Sequence, residues 1–220
     1  MNASDDEKRL AAEAAAELVE SGMTVGLGTG STVSHLLPAI ARRGLTEIRS
    51  VATSVATEEQ AGGLGIPVED FDRLQRLDIA IDGTDEVTPD GWLIKGGGGA
   101  HLREKIVAAA AKRFIVICDS SKPVEALRGP VPLELFGFGA ASTLARLGGD
   151  VELRDAPASP DGGVIGDYRG RGLDDPAALA ARLEADPGVA AHGLFPPGMV
   201  AELIIGKGDE LERACFSSQP

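Results

Sequence analysis

Thr24-Val25-Gly26-Leu27-Gly28-Thr29-Gly30-Ser31-Thr32 begins as a short buried strand, turns on Gly28 and Gly30, and runs into a helical pattern from Val33 to Arg42. Strand, glycine turn and helix start, in that order, are the repeating unit of an open α/β sheet. They also make an anion pocket, because the free N–H groups and the positive dipole end of the helix converge where the glycines let a ligand come close. Ser31 and Thr32 supply hydroxyls that suit both a bound phosphate and the helix cap. The glycines lack the spacing of a dinucleotide fingerprint, and no lysine follows them as a nucleotide P-loop requires.

The same rhythm continues outward. Apolar runs at Ile48–Val51, Ile79–Ile81 and Phe114–Ile117 alternate with helical stretches up to about Arg128, which predicts a Rossmann-like parallel sheet flanked by helices. Beyond Pro130 the order becomes strand (Val131–Phe136), helix (Ala140–Leu147), strands near Val151 and Val164, helix (Asp175–Leu183) and strand (Val189–Leu194). That β-α-β-β-α-β order predicts a smaller α+β, ferredoxin-like domain whose middle strands join through Ser159-Pro160-Asp161-Gly162-Gly163. Met199–Ile205 then returns to the first sheet. The expected division is 1–129 with 199–220 for the large α/β domain and 130–198 for the small one.

Two further runs carry chemistry. Asp78-Ile79-Ala80-Ile81 reads as a buried strand, so Asp82 and Asp85 of Asp82-Gly83-Thr84-Asp85-Glu86 fall at its carboxyl end, where open α/β sheets bind ligands. About ten residues on, Lys95-Gly96-Gly97-Gly98-Gly99-Ala100-His101-Leu102-Arg103-Glu104-Lys105 sets four glycines between a lysine and a helix start. The glycines present backbone N–H groups to a negative oxygen without interference from Cβ. Glu104 shares its helix face with Ala100, Val107, Ala108 and Ala111, and a carboxylate in an apolar stripe is raised toward the working range of a general base. Asp82 and Asp85 are close enough in sequence for one of the two to hold a proton, and which one stays open. Base on one side and positive or hydrogen-bonding groups at the oxygens are what abstraction of a proton α to a carbonyl needs.

These runs, with Asp119-Ser120-Ser121-Lys122-Pro123 and Pro132-Leu133-Glu134, resemble in order and spacing the ribose-5-phosphate isomerases of the A type, from near the amino terminus to about Lys207. The resemblance implies metal-free and cofactor-free interconversion of D-ribose 5-phosphate and D-ribulose 5-phosphate through an enediolate. It implies that Glu104 shuttles the proton, and that Asp82, Asp85 and Lys95 open the sugar ring and handle charge at O1 and O2. Substrate binding falls to Thr29, Gly30, Ser31, Thr32, Gly83, Thr84, Gly96, Gly97, Gly98 and Lys122. Lys8 lies where the family often has a lysine near the phosphate, or it solvates a helix face. A homodimer or homotetramer is implied by the resemblance alone. Two places depart from the family pattern: Asp161-Gly162-Gly163-Val164-Ile165-Gly166-Asp167 stands where relatives commonly have an Asp-Asn-Gly-Asn type hairpin, without its asparagines, and Thr84 stands where alanine is frequent.

Composition sets the outer limits. With 220 residues, 43% hydrophobic and 25% charged, the chain can bury a sizeable core, and no apolar run approaches the ~20 residues of a membrane span. The amino terminus lacks the pattern of a secretory signal, so a cytoplasmic location is expected. Against 34 acidic residues stand 21 basic ones, a net charge of −13 that repels nucleic acid and anionic membranes, so neither is expected as a partner; a small sugar phosphate is. Such a surface also opposes an anionic substrate, which makes local positive features at Lys95, Lys122 and the glycine turns necessary. Cys118 reads as a buried small hydrophobe, Cys215 as part of a frayed tail, and His101 as a surface-packed neighbour of the glycines or a substrate contact. No cluster of His, Cys or carboxylates has metal-ligand spacing. Two rivals stand beside the isomerase reading. A non-catalytic sugar-phosphate sensor has no need for Glu104, Asp82, Asp85 and Lys95 together, and a nucleotide-binding enzyme is opposed by the missing fingerprint.

Overall fold

A computed structural model describes residues 3–216. In chain order its elements are α1 (Ala3–Ala16), β1 (Thr24–Leu27), α2 (Val33–Arg42), β2 (Arg49–Ala52), α3 (Val55–Gly63), β3 (Ile79–Gly83), β4 (Glu86–Val87), β5 (Leu93–Ile94), α4 (His101–Ala110) and β6 (Phe114–Asp119). There follow β7 (Val131–Leu135), α5 (Ala140–Arg146), β8 (Val151–Leu153), β9 (Val164–Tyr168), α6 (Pro176–Glu184), β10 (Val189–His192), β11 (Leu194–Phe195), β12 (Glu202–Lys207) and β13 (Glu210–Cys215). The chain divides into two compact units. One holds the chain up to Thr84, Arg103–Lys122 and the chain from Pro197 on; the other holds Asp85–Leu102 and Pro123–Pro196. The second unit thus takes in Asp85–Leu102 and the residues from Pro123 as well as most of 130–198. Residues 1–2 and 217–220 of the expected large domain lie outside the described residues.

The first unit is built on a six-stranded sheet of order β13-β12-β6-β3-β1-β2, parallel except for the β12–β13 hairpin at one edge. Its inner strands read as unbroken apolar runs because both faces are covered: β6 is buried at every position. Helix α1 packs on β6, β12 and α2, and its inner face is Ala11, Ala12, Ala15 and Ala16, all essentially inaccessible. Alanine lets the helix axis come close to the strands. The approach is closest at Gly206, where an added Cβ would overlap the carbonyl oxygen of Glu7. Gly26 plays the same part for α4, since a Cβ there would stand 2.5 Å from Val107 Cγ1. At the amino end of β3, Asp78 accepts from Lys112 Nζ at 2.7 Å and from the Thr24 N–H and hydroxyl at 2.9 Å. The lysine first, and then the Thr24 donors, hold this carboxyl down at about 2.

The second unit contains a four-stranded antiparallel sheet of order β10-β7-β9-β8, with α5 between β7 and β8 and α6 between β9 and β10. This is the ferredoxin-like arrangement expected from the order of elements. Its core gathers Leu133, Leu135, Leu147, Tyr168, Leu179 and Leu183. Asp175 caps α6 by accepting the Ala178 N–H, with proline in the helix's first turn. The turn at Ser159–Gly163 forms as expected, with Gly162 at φ +83 and paired backbone bonds between Ser159 and the glycines.

Three features differ from the expectations. The run Val189–Leu194 breaks at Gly193, whose N–H goes to the Pro132 carbonyl and whose carbonyl receives the Lys95 N–H at 2.9 Å, so the chain leaves β10 and starts β11. Strand β11 joins β5 and β4 in a small third sheet. The tail that read as frayed is strand β13 through Cys215, exposed along its length but fully paired with β12.

The Gly206 approach predicts that Gly206→Ala lowers unfolding free energy by about 2–3 kcal/mol, because backbone cannot move aside as a side-chain tip can. In contrast Gly62→Ala, in α3 with open space around the new methyl, raises it by up to about 1 kcal/mol. Chemical denaturation of both variants checks the pair. For Asp78, a folded-state value below the ordinary 3.8 means its contribution is full above that pH and is lost as pH falls through about 2. Asp78→Asn is therefore expected to flatten the acid limb of the melting temperature over that window, and an unchanged limb would count against it.

Candidate active site

In the first unit the ends of three parallel strands carry the polar groups. Asp82, the fourth residue of β3, is 3% exposed, and its Oδ1 accepts the Thr29 N–H at 3.0 Å and the Gly83 N–H at 2.7 Å. The β1 loop can reach it only because residue 28 is glycine: a Cβ there would overlap the Asp82 carboxylate. The loop is also held by hydroxyls. Thr29 Oγ1 lies 2.6 Å from Thr53 Oγ1, and Thr57 Oγ1 donates to the Gly28 carbonyl at 2.9 Å, while Ser54 caps α3 by accepting the Thr57 N–H. Thr53, Ser54 and Thr57 were not singled out in the sequence, although their Thr-Ser-x-x-Thr spacing at a strand end was a visible cap signal. Thr32 occupies the N-cap position of α2 with no side-chain cap bond, so the cap expected of its hydroxyl is not formed. Ser34 instead donates its hydroxyl to the Ser31 carbonyl at 2.6 Å. Thr32 is buried, Ser31 exposed, and Gly30 takes φ +113.

At the end of β6 stands Asp119, 1% exposed, whose Oδ1 accepts the Ser121 N–H at 2.9 Å and the Ser121 hydroxyl. Lys8 Nζ is 3.9 Å from its other oxygen. Lys122 follows in the same turn, its N–H on the Asp119 carbonyl. From α1, Glu7 receives the Gly208 N–H and the N–H and hydroxyl of Ser120, which lowers its pKa. Cys118 is buried in β6 and its thiol is pushed up to about 12, which removes it as a nucleophile. Glu104 lies in the first turn of α4, 5% exposed, on a face whose next members Val107 and Ala108 are also buried. Thr84 is buried as well.

The second unit places Asp85 and the glycine run together. Asp85 is exposed, and its Oδ2 accepts the Gly97 N–H at 2.8 Å. Gly96 and Gly99 adopt φ +99 and +77, the left-handed region that favours glycine, and the Gly99 N–H closes the turn on the Gly96 carbonyl. Gly97 and Gly98 form its exposed tip. Lys95 is only 2% exposed, with Nζ 5.6 Å from the centre of the Phe195 ring. His101 is not a surface residue as read from the sequence: it is fully buried, and Gly96 must lack a Cβ because the imidazole fills that space. Arg154 donates to the carbonyls of Gly96 and Gly97 and pairs with Asp167. Arg154 was not singled out in the sequence, and Asp167 stood there only as the last residue of the stretch that departs from the family pattern. Among the described residues no three His, Cys, Asp or Glu side chains gather as a metal site, and no helix is long and apolar enough to cross a membrane.

A parallel sheet with a glycine turn after one strand and a buried aspartate near the end of another, combined with a ferredoxin-like α+β unit, defines an α/β protein with polar groups gathered at its strand ends. The profile of the ribose 5-phosphate isomerase A (phosphoriboisomerase A) family matches residues 49–210. Ribose-5-phosphate isomerase A of Caulobacter vibrioides is 43% identical over 222 residues, covering 95% of this chain and 97% of that protein. The crystal structure of ribose 5 phosphate isomerase A from Neisseria gonorrhoeae superposes with a TM-score of 0.92 at 33% identity, over 97% of this chain and 98% of that one. A D-ribose-5-phosphate isomerase solved in complex with phospho-erythronic acid gives a TM-score of 0.91 at 32% identity, over 98% and 100%. The chain belongs to the ribose 5-phosphate isomerase A family.

Proposed function

We propose that the protein interconverts D-ribose 5-phosphate and D-ribulose 5-phosphate through an enediolate, with Glu104 as the base. The observation that carries this reading is a carboxylate 5% exposed on an apolar helix face, in a chain of an isomerase family. On the open-chain aldehyde, Glu104 takes the proton from C2 and the carbonyl electrons move onto O1. A proton passes from O2 to O1, and Glu104 returns its proton to C1, leaving a ketone at C2 and a hydroxymethyl group at C1. No atom is gained or lost. Desolvation of a carboxylate strengthens it as a base toward carbon, which is why an apolar face suits the role.

The remaining assignments follow the charge that develops. Asp82, Asp85 and Lys95 open the furanose ring and manage protons on O1 and O2, while Gly96, Gly97 and Gly98 bind beside the oxygen that becomes negative, with the Gly98 amide as donor. Thr29, Gly30, Ser31 and Thr32, with Gly83, Thr84 and Lys122, hold the substrate, the hydroxyls and the ammonium suiting its phosphate end. Phospho-erythronic acid, the ligand of the similar D-ribose-5-phosphate isomerase, carries a carboxylate on a phosphorylated sugar chain, and that charge distribution is the one an enediolate shares. A net charge of −13 supports a small sugar phosphate over nucleic acid or an anionic membrane as the partner. A homodimer or dimer of dimers is part of the same proposal, on the family resemblance.

Purified protein assayed with ribose 5-phosphate is expected to turn over equally with and without chelator, and to wash deuterium from D2O into the product. Glu104→Gln is expected to lower kcat by a factor on the order of 10² to 10⁴. Full activity in that variant would require another base; binding without turnover in the wild type would favour a sensor. Because Gly28 makes room for Asp82, Gly28→Ala and Asp82→Ala are expected to depress kcat/KM to a similar degree. Their losses should fall well short of adding in the double variant, and simple additivity would separate the two residues.

A further inference from the structure

We propose that Arg154, braced by Asp167, is a positioning residue that fixes the peptides of the Gly96–Gly99 turn so that the Gly98 N–H is presented to the substrate's developing oxyanion. The inference rests on the isomerase reading for its substrate, and on the second unit alone for its geometry. Arg154 directly follows β8, and its N–H extends the ladder to the Ile165 carbonyl at 2.9 Å. Asp167 sits two residues further along β9, so the two side chains meet across neighbouring strands. The pair is bidentate: Nε to Oδ2 at 2.9 Å and Nη2 to Oδ1 at 2.7 Å. The remaining arm, Nη1, donates to the Gly97 carbonyl at 2.9 Å and the Gly96 carbonyl at 3.2 Å. Every nitrogen of the fork is used. The side chains are 22% and 14% exposed, well below a freely solvated surface ion pair.

The consequence for the turn follows from peptide planarity. In a trans peptide the C=O and N–H point in opposite directions, so fixing one fixes the other. The Gly96–Gly97 peptide is held at both ends, its carbonyl by Arg154 and its N–H by Asp85 Oδ2 at 2.8 Å. In the Gly97–Gly98 peptide Arg154 takes the carbonyl, which turns the Gly98 N–H away from the guanidinium on the exposed tip of the turn. Glycine has no side chain to restrict these peptides, and a run of four would otherwise sample many orientations at little cost. A cationic donor on the carbonyl also polarises the same peptide and strengthens its N–H as a donor. The guanidinium therefore supplies both direction and strength to donors that it does not itself contain. Lysine at 154 would keep the charge and lose the planar fork.

The test compares wild type, Arg154→Lys and Asp167→Asn. For each, kcat and KM for ribose 5-phosphate are measured, and binding of phospho-erythronic acid and of inorganic phosphate is followed by calorimetry. The expected result for Arg154→Lys is a fall in kcat on the order of 10- to 100-fold, matched by an equal loss of affinity for phospho-erythronic acid, with phosphate affinity unchanged. Asp167→Asn should show the same split to a smaller degree, and it carries the test if Arg154→Lys does not fold. Unchanged kcat and phospho-erythronic acid binding in the folded variants would overturn the proposal, as would an equal loss for both ligands, which marks general damage. A wild type that binds phospho-erythronic acid without isomerising the sugar would defeat the isomerase reading instead, and the positioning role would then be judged on the ratio of the two affinities.

Discussion

A buried carboxylate at the end of a buried strand is the constraint around which the first unit is arranged. Asp82 stands near the end of β3, buried from water, so its carboxylate needs donors from the chain, and the Thr29 and Gly83 amides both give theirs to Oδ1. That requirement draws the β1 loop against β3, forbids a side chain at position 28, and sets Thr29 where its hydroxyl meets Thr53. The Gly28 carbonyl is in turn anchored by Thr57 from the start of α3. One polar obligation therefore fixes the loops that follow three strands, and it does so through hydrogen bonds, which are directional, and not through apolar contact, which is not.

The second unit solves the same problem with a different device. Its glycine turn has no side chains of its own to pack, and it is held by Asp85 on one amide and Arg154 on two carbonyls. The guanidinium raises its own hold by pairing with Asp167, whose carboxyl is kept below its ordinary value by that pair. Sites that must present amides to a developing charge gain from being rigid before the substrate arrives, since reorientation at the moment of reaction adds to the barrier. Both loops are tied by hydrogen bonds from neighbouring segments, in a part of the fold where loops are ordinarily mobile.

Packing around these loops depends on small residues. The alanine face of α1, Gly206 beneath Glu7 and Gly26 beneath Val107 bring helices onto the parallel sheet at short range. A close, dry contact on both faces is what allows β3 and β6 to be apolar up to Asp82 and Asp119, near the end of the one strand and at the end of the other. The abrupt change from core to carboxylate is a property of that layering.

What the sequence determined by itself was what repeats or is contiguous. Alternating apolar runs and helical stretches specified the parallel sheet, the later order of elements specified the ferredoxin-like unit, and short local runs marked Thr29–Thr32, Asp82, Asp85, Lys95–Gly98 and Glu104. These signals are local because burial of a strand and the start of a helix depend on neighbours within a few residues. Strands of two residues, such as β4, β5 and β11, have no period to read, and β13, which mixes Leu211, Ala214 and Cys215 with charged residues, buries no face that a pattern could mark, so its place rests on pairing with β12. Only the tertiary structure decided that Arg154 and Asp167 meet, that Arg154 reaches back more than fifty residues to the glycine carbonyls, that His101 is interior, and that Thr53 and Thr57 support Thr29 and Gly28. Hydrogen bonds between residues far apart in the chain leave no spacing behind them; they exist only once the sheet has set the distance between their backbones.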